Sequence, residues 1–239
     1  MAHSSQLWVQ PFWLEQASQW IDHTLDQQGI KRVGAIAQPR IRAWSTILQI
    51  PTHVGDLYFK AVIPDLAYEA ALTQALFRWF PDCVPHILAI DAQRGWLLMA
   101  DGGMRLREVL RTTDDLQHWE SLLPSYAKLQ QESAQYVDKL LGMGVYDRRL
   151  AGLPTQFQAL LHDEDAIGLA GANGLTSDEY QQLQNCFDIV VCRCEELAAF
   201  AIPETLHHGD LHDGNIFIFN DCYRFFDWGD SSISHPFFS

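Results

Sequence analysis

The chain has 239 residues, of which 48% are hydrophobic and 19% are charged, and its formal net charge is −14. This composition is typical of a folded protein and argues against general disorder. The acidic balance argues against a nucleic acid as partner, because phosphate backbones are bound by basic surfaces.

The sequence shows no run of eighteen apolar residues, and its start lacks a basic region followed by an apolar block. We therefore expect neither a membrane span nor a signal peptide. The five cysteines are odd in number and include Cys192-Arg-Cys194. This pattern favours reduced thiols over a disulfide framework, so we expect a cytoplasmic protein with no membrane partner.

The N-terminal hundred residues predict two helices and several strands. Apolar residues at helical spacing predict an amphipathic helix over residues 11–29. Asp65 is predicted to cap a second helix that runs through Phe80. Alternating and β-branched runs predict strands at 33–37, 43–49, 57–62, 87–91 and 96–100.

After a break at Asp101-Gly-Gly103 the pattern is mainly helical to about residue 200. The expected helices lie at 105–111, 115–137, 155–162 and 177–200. The last of them follows Thr176-Ser-Asp-Glu179, a polar cap with early acidic residues. Two short strands, at 215–219 and 223–226, are expected to flank a turn at Asn220-Asp221. Strands with one helix followed by helices and a small hairpin indicate the α+β class.

The most informative pattern is His208-Gly-Asp-Leu-His-Asp-Gly-Asn215, followed by Phe225-Phe-Asp-Trp-Gly-Asp230. It places Asp210, Asn215 and Asp227 next to two short apolar segments. Kinase-type phosphoryl transfer needs a carboxylate near the acceptor hydroxyl, and an amide and a second carboxylate to hold Mg²⁺ on the nucleotide phosphates. The pattern therefore predicts a phosphoryl-transfer site.

This two-part motif resembles that of the aminoglycoside phosphotransferase family, relatives of choline and fructosamine kinases. The resemblance implies a two-lobed, protein-kinase-like fold, with a nucleotide-binding lobe at 1–100 and a helical lobe at 101–239. It implies that Asp210 and His208 serve catalysis, the histidine by supporting the loop. It also implies ATP- and Mg²⁺-dependent transfer of the γ-phosphoryl group to a hydroxyl of a small molecule.

The same resemblance assigns the metal and nucleotide ligands. Asn215 and Asp227 are expected to hold Mg²⁺. Lys60, the one charge in an apolar strand, matches the lysine that pairs with nucleotide phosphates, and Glu69 is expected to hold it as an ion pair. Without the resemblance, Lys60 would be taken as an exposed residue of an edge strand, and Glu69 as a first-turn acid favoured by the helix dipole.

The adenine is expected to contact the strand and hinge in Trp96-Leu-Leu-Met-Ala-Asp-Gly-Gly103 through backbone groups. The candidates are Met99, Ala100 and Asp101. The phosphates should contact the segment 38–46, which departs from the family pattern because it contains no glycine. Backbone amides near residues 43–46, together with Ser45 or Arg42, are expected to reach a phosphate.

The C-terminal end departs from the family pattern as well. His235-Pro236 stands where many members carry Gly-Asp-Pro, and Asp230 has no assigned role. Because the chain stops soon after Asp227, we expect it to be truncated, with the last helices of its C-terminal lobe missing.

Two other functions stay open. An inactive nucleotide-binding or scaffold fragment is suggested by the glycine-free segment and by the early end. A metal-dependent hydrolase is suggested by five possible ligands: His207, His208, Asp210, His212 and Asp213. The hydrolase leaves Asn215 and Asp227 unexplained. The net charge is compatible with a cationic acceptor, although solubility is the simpler explanation. The sequence identifies neither the acceptor, nor ATP over GTP, nor the oligomeric state.

Overall fold

The structure, a computed structural model, describes residues 7–111, 116–168 and 174–238. The chain forms two compact units. The first comprises Met1–Leu129, Gly142–Val145 and His208–Ser231, and the second comprises Gln130–Leu141, Tyr146–His207 and Ser232–Ser239. The predicted lobe limits at residue 100 rest on sequence patterns and stay a prediction.

Helices and strands are interspersed along the described part of the chain. The first are α1 (Pro11–Gln27), β1 (Ala37–Ile41), β2 (Ser45–Thr52), β3 (Gly55–Val62), α2 (Tyr68–Trp79), β4 (Ile87–Asp91) and β5 (Trp96–Ala100). They are followed by β6 (Met104–Arg105), α3 (Leu106–Leu110), α4 (Gln117–Ser133), α5 (Val137–Gly142), β7 (Tyr146–Arg148), α6 (Leu153–His162) and α7 (Glu164–Ile167). The last are α8 (Ser177–Asn185), α9 (Phe187–Ala198), β8 (Thr205–His207), β9 (Ile216–Phe219), β10 (Cys222–Phe225) and β11 (Ser232–Ser234).

A five-stranded antiparallel sheet in the order β1-β2-β3-β5-β4 organises the first unit. Because side chains alternate between the two faces of a sheet, every second residue of β2, β3 and β5 belongs to one face. On one face Phe59 is fully buried and contacts Trp20 and Trp96, with ring centroids 5.7 and 5.4 Å apart. Helix α1 covers this face and forms the main hydrophobic core with it. Burial of each such large side chain stabilises the fold by about 1.5–3 kcal/mol.

Two predictions in this unit are wrong. The strand expected at 33–37 lies at Ala37–Ile41, because pairing with β2 begins only at Ala37, whereas Arg32 forms an isolated bridge to Thr52. Asp65 does not cap α2, which Ala67 precedes. Pro64 begins a 3₁₀ turn that contains Asp65, since its fixed φ suits the first position of a helical turn.

The small hairpin near the end of the first unit matches its prediction. Strands β9 and β10 pair antiparallel, and β6 adds a third strand beside β9. Asn220 and Asp221 have φ angles of 49° and 59°. Two successive left-handed residues form the tight turn that matches the twist of a two-stranded ribbon.

The second unit combines helices with a small sheet in the order β7-β11-β8. The predicted helix start at Thr176 is confirmed, since its side chain accepts from Glu179 N and Glu179 accepts in return. The long helix expected at 177–200 is interrupted at Cys186. The start of the helix expected at 115–137 lies outside the described residues. None of the described helices combines the length and apolar character needed to cross a membrane.

Candidate active site

A cavity of about 760 Å³ lies within the first unit. Its walls include Ile47, Lys60 and Leu97 from the central strands. These residues point from the sheet face opposite to the one that carries Phe59 and Leu98, because they sit at alternate positions. The cavity therefore lies on the sheet face that α1 leaves uncovered, and its size is that of a small-molecule site.

Lys60 is the centre of a buried charge cluster in this cavity. Its Nζ lies 2.5 Å from Glu69 Oε1 and 2.6 Å from Asp227 Oδ1, and the residue is 7% exposed. Burial alone would lower the pKa of Lys60, but the two carboxylates outweigh it and raise that pKa above its ordinary value. The ammonium group is therefore firmly charged.

The two carboxylates respond to this cluster differently. Burial raises the pKa of Glu69, although Lys60 acts against that shift. The charge of Lys60 lowers the pKa of Asp227, with burial acting against it. Asp227 is thus held as a carboxylate, which is the state that binds a cation.

Asp227 has a left-handed backbone, with φ 64° and ψ 60°. This region is uncommon for residues other than glycine, but asparagine and aspartate tolerate it best. A residue held there by its surroundings is a candidate for function. The geometry turns the chain sharply after β10 and directs the carboxylate toward Lys60.

His208 is fully buried and both of its ring nitrogens have partners. Nε2 lies 2.8 Å from the Phe226 carbonyl oxygen, which only accepts, so Nε2 carries the proton and Nδ1 accepts from Asp210 N at 3.3 Å. The ring therefore links the backbone of Asp210 to that of the residue before Asp227. This arrangement gives His208 the means to support the loop.

Gly209 lies between His208 and Asp210 and has a conformation that glycine favours, with φ 83°. A Cβ atom placed there would lie 2.2 Å from the Asp230 carbonyl oxygen. Neither the torsion angle nor the available space admits a side chain without a shift of the loop.

Gly209→Ala is expected to lower the free energy of unfolding by more than Gly29→Ala. Both glycines have positive φ, but nothing lies within 4 Å of the Cβ position at Gly29. The Gly29 variant should lose only the torsional term, about 1 kcal/mol, and the Gly209 variant at least twice that. Urea unfolding of both variants measures the difference, and equal losses would mean that the backbone contact with Asp230 is unimportant.

Asn215 is buried, and its side-chain amide is oriented by Asp210. Nδ2 donates to the Asp210 carbonyl oxygen at 2.9 Å and to Asp210 Oδ2 at 3.1 Å. Since both partners are acceptors, the amide nitrogen must face them, and Oδ1 is left to point elsewhere. Asp210 itself is exposed, with half of its side chain accessible.

The donor set around the cavity fits Mg²⁺. Asn215 Oδ1 and the Asp227 carboxylate are hard oxygen ligands, and Mg²⁺ commonly takes one or two protein groups together with phosphate oxygens and water. Both residues line the same cavity as Lys60. They would hold the ion beside the phosphates of a bound nucleotide.

The residues predicted to contact adenine do not all lie on the cavity. Met99 and Asp101 line it, whereas Ala100 does not, and the Ala100 amide donates to the His86 carbonyl oxygen. Phe217 and Phe226 form part of the wall, with ring centroids 4.2 Å apart. These flat apolar groups provide the surface that a nucleobase would pack against.

Ser45 and Arg42, the two side chains expected to reach a phosphate, both line the cavity. Sequence reasoning missed Arg40, Arg105 and Arg107, which line it as well. Arg40 was missed because the first strand was predicted at 33–37, whereas the pairing of β1 with β2 and of β2 with β3 places Arg40 on the face that carries Lys60.

The side chains proposed for a hydrolase do not form a metal centre. Wherever the structure describes the chain, no group of three or more His, Cys, Asp or Glu side chains could hold a metal ion. Asp213 is engaged by Arg107 Nη2 at 2.7 Å, and both ring nitrogens of His208 are occupied. Thus the geometry favours the nucleotide site over the hydrolase.

Residues 76–238 match the model of the phosphotransferase enzyme family (APH). No curated protein matches the chain in sequence. Among solved structures, the GDP and kanamycin complex of APH(2")-IIia is similar, with a TM-score of 0.60, 15% identity and coverage of 91% of this chain and 74% of the other.

Two further structures are similar at the same level. Plasmodium vivax ethanolamine kinase gives a TM-score of 0.51 with 14% identity, and the match covers 98% of this chain and 67% of the kinase chain. Choline kinase LicA from Streptococcus pneumoniae gives a TM-score of 0.51 with 11% identity, and covers 91% of this chain and 70% of its own. At such identities the likeness shows the fold, and it confirms the predicted α+β, protein-kinase-like class.

Proposed function

The chain belongs to the phosphotransferase enzyme family, and from this premise we propose that it moves the γ-phosphoryl group of ATP to a hydroxyl of a small molecule. The observation that carries the proposal is that one cavity is lined by all four of these residues: Lys60, Asp210, Asn215 and Asp227. A cation for the phosphates, two oxygen ligands for Mg²⁺ and a carboxylate for the acceptor are all present there. Phosphoryl transfer requires these groups and little covalent chemistry from the protein.

Asp210 is the residue proposed to act on the acceptor. In the transfer, a bond forms between the acceptor oxygen and the γ-phosphorus while the bond from that phosphorus to the β-phosphate oxygen breaks. Asp210 orients the hydroxyl and receives its proton, and ADP is the leaving product. The exposure of Asp210 leaves its carboxylate open to an incoming hydroxyl.

Lys60, Glu69 and Asp227 are proposed to prepare the site for the nucleotide. Glu69 holds Lys60 in place, so that its ammonium group faces the phosphates in a fixed position. When bound, Mg²⁺ would supply neutralising charge on the phosphate oxygens. Charges that are fixed before the substrate arrives need not reorganise during the reaction, which is the main source of electrostatic catalysis.

The acceptor is proposed to be a small molecule with a free hydroxyl. The names of the similar structures mention kanamycin, ethanolamine and choline. Because one fold serves many acceptors, these compounds form the starting set of an acceptor screen, which also tests the expectation of a cationic acceptor. We propose that the protein acts in the cytoplasm.

Mg-ATP is expected to raise the melting temperature of the wild type and to leave that of Asp227→Asn unchanged. At a ligand concentration of about 100 Kd the rise should be about 5–10 °C for a protein of this size. Asparagine tolerates the left-handed backbone of Asp227, so the variant removes the charge without imposing new strain. Thermal unfolding with ATP, with and without Mg²⁺, provides the measurement.

The matched control for this experiment is Asp221→Asn, at an exposed left-handed position in the β9–β10 turn. It should retain the full Mg-ATP shift. A wild type that shows no shift would contradict nucleotide binding by this chain. A shift that survives in Asp227→Asn would contradict the proposed metal ligand.

A further inference from the structure

Arg40 and Lys60 belong to one row of residues that runs straight across the sheet. Arg40 of β1 pairs with Ile47 of β2, which pairs with Lys60 of β3. Residues directly opposite one another in antiparallel strands project from the same face. With strands about 4.8 Å apart, the backbones of Arg40 and Lys60 are separated by about 10 Å. Both cations therefore face the cavity, which they line.

The positive charge of Lys60 is already engaged by acidic neighbours. Glu69 and Asp227 both contact its ammonium group. A nucleotide triphosphate brings several further negative charges to this point. Positive charge beyond that of Lys60 and the metal ion would strengthen binding of the phosphate chain.

Arg40 is the arginine of this row, and its guanidinium is uncommitted. Throughout the described ranges, its side chain forms neither a hydrogen bond nor an ion pair. It is half-buried in the cavity wall, where five N–H donors would face a ligand.

The neighbouring arginine is placed differently. Arg42 lies in the turn after β1, its Nη1 is directed back to the Ile41 carbonyl oxygen at 3.4 Å, and its backbone N–H donates to Ser45 O. The turn contains no glycine, which limits how closely its backbone can approach a ligand. The long side chain of Arg40, which projects from β1, reaches further toward a ligand than the backbone of this turn.

We propose that Arg40 binds the phosphate chain of the nucleotide and supplies the positive charge that the glycine-free turn does not provide. This inference rests on the proposed function, since it requires that the cavity binds Mg-ATP. It makes Arg40 a specificity-determining residue for the number of phosphates on the ligand. A guanidinium is suited to this role because it offers two parallel donors to phosphate oxygens.

The test is isothermal titration of Mg-ATP and Mg-ADP into the wild type, Arg40→Gln and Arg40→Lys. The glutamine variant should bind Mg-ATP at least tenfold more weakly, which is about 1.4 kcal/mol, with a smaller loss for Mg-ADP. The lysine variant should recover part of the loss because it keeps the charge. Arg78→Gln, at an exposed site on α2, is the control and should bind Mg-ATP within threefold of the wild type. Arg42→Gln compares the two arginines of the cavity and should lose less affinity than Arg40→Gln.

The outcomes separate the inference from the proposed function. Tight binding by the wild type together with equal binding by Arg40→Gln overturns the role of Arg40 and leaves the nucleotide site standing. A larger loss in Arg42→Gln than in Arg40→Gln overturns it too. Equal losses in the lysine and glutamine variants, with lower melting temperatures in the absence of ligand, indicate a structural role and also overturn it. No binding by the wild type overturns both proposals.

Discussion

Asp210→Asn is expected to lower kcat for phosphoryl transfer by about 10²–10⁴-fold, the usual contribution of a positioned general base. The variant keeps an oxygen that can accept from Asn215 Nδ2, so the hydrogen bond seen at 3.1 Å has a replacement. It loses the group that is proposed to take the proton of the acceptor hydroxyl. The Kd for Mg-ATP should stay within about threefold of the wild type, because the predicted nucleotide ligands are untouched.

Two measurements decide this prediction. Steady-state transfer to an acceptor found in the screen gives kcat, and titration with Mg-ATP gives Kd. Without an acceptor, slow hydrolysis of ATP by water serves as the transfer reaction. Asp221→Asn, which makes the same change at the exposed hairpin turn, should behave as the wild type. Transfer by Asp210→Asn within tenfold of the wild-type rate would remove Asp210 from the catalytic role.

Among the proposed variants, Lys60→Met is expected to lower the free energy of unfolding most, by about 3 kcal/mol at pH 7. The variant leaves Glu69, with 4% of its side chain exposed, beside Asp227 without a cation between them. Burial already raises the pKa of Glu69 with Lys60 present, and removal of the lysine should raise it further. Nucleotide binding should be lost as well, since the predicted phosphate contact is gone.

The pH dependence of this loss has a definite sign. A carboxyl whose pKa is raised in the folded state favours folding when it is protonated, so the variant recovers stability as the pH falls. In the wild type, Lys60 has a raised pKa, and its contribution is complete below its ordinary pKa and is lost only at strongly alkaline pH. The difference in the free energy of unfolding between the wild type and Lys60→Met should therefore be smaller at pH 5 than at pH 7.

Urea unfolding at both pH values measures this prediction. The double variant Lys60→Met/Glu69→Gln should regain a large part of the lost stability, since it removes the unpaired charge together with its partner. Lys31→Met, at an exposed position, is the matched control and should change stability by less than about 0.5 kcal/mol. An equal loss in the single and double variants would contradict the buried-charge explanation.

The local features of the fold were predictable because they depend on nearby residues. Strands β4 and β5 have the predicted bounds. The capping box at Thr176 and the tight turn at Asn220-Asp221 follow from residues within a few positions of one another. Such elements carry their own signal in the sequence.

The arrangement of the site was less accessible to sequence reasoning. The contact between Lys60 and Asp227 joins residues 167 positions apart, so only the family resemblance indicated that the two would meet. Placing the first strand at 33–37 left Arg40 outside any strand. The pairing of Arg40 with Ile47 fixes the face that it shares with Lys60, and that pairing is a tertiary property. The roles of all these residues stay predictions until they are tested.

The backbone of Phe226 is held by a hydrogen bond on each side. Its N–H donates to the Asn215 carbonyl oxygen at 2.9 Å, and its carbonyl oxygen accepts from His208 Nε2 at 2.8 Å. The β9–β10 hairpin between Asn215 and Asp227 is therefore fixed at its two ends, while its turn at Asn220-Asp221 is exposed. Insertions at this turn should leave the distance between the two predicted metal ligands unchanged, so the spacing between Asn215 and Asp227 in the motif records the length of a hairpin.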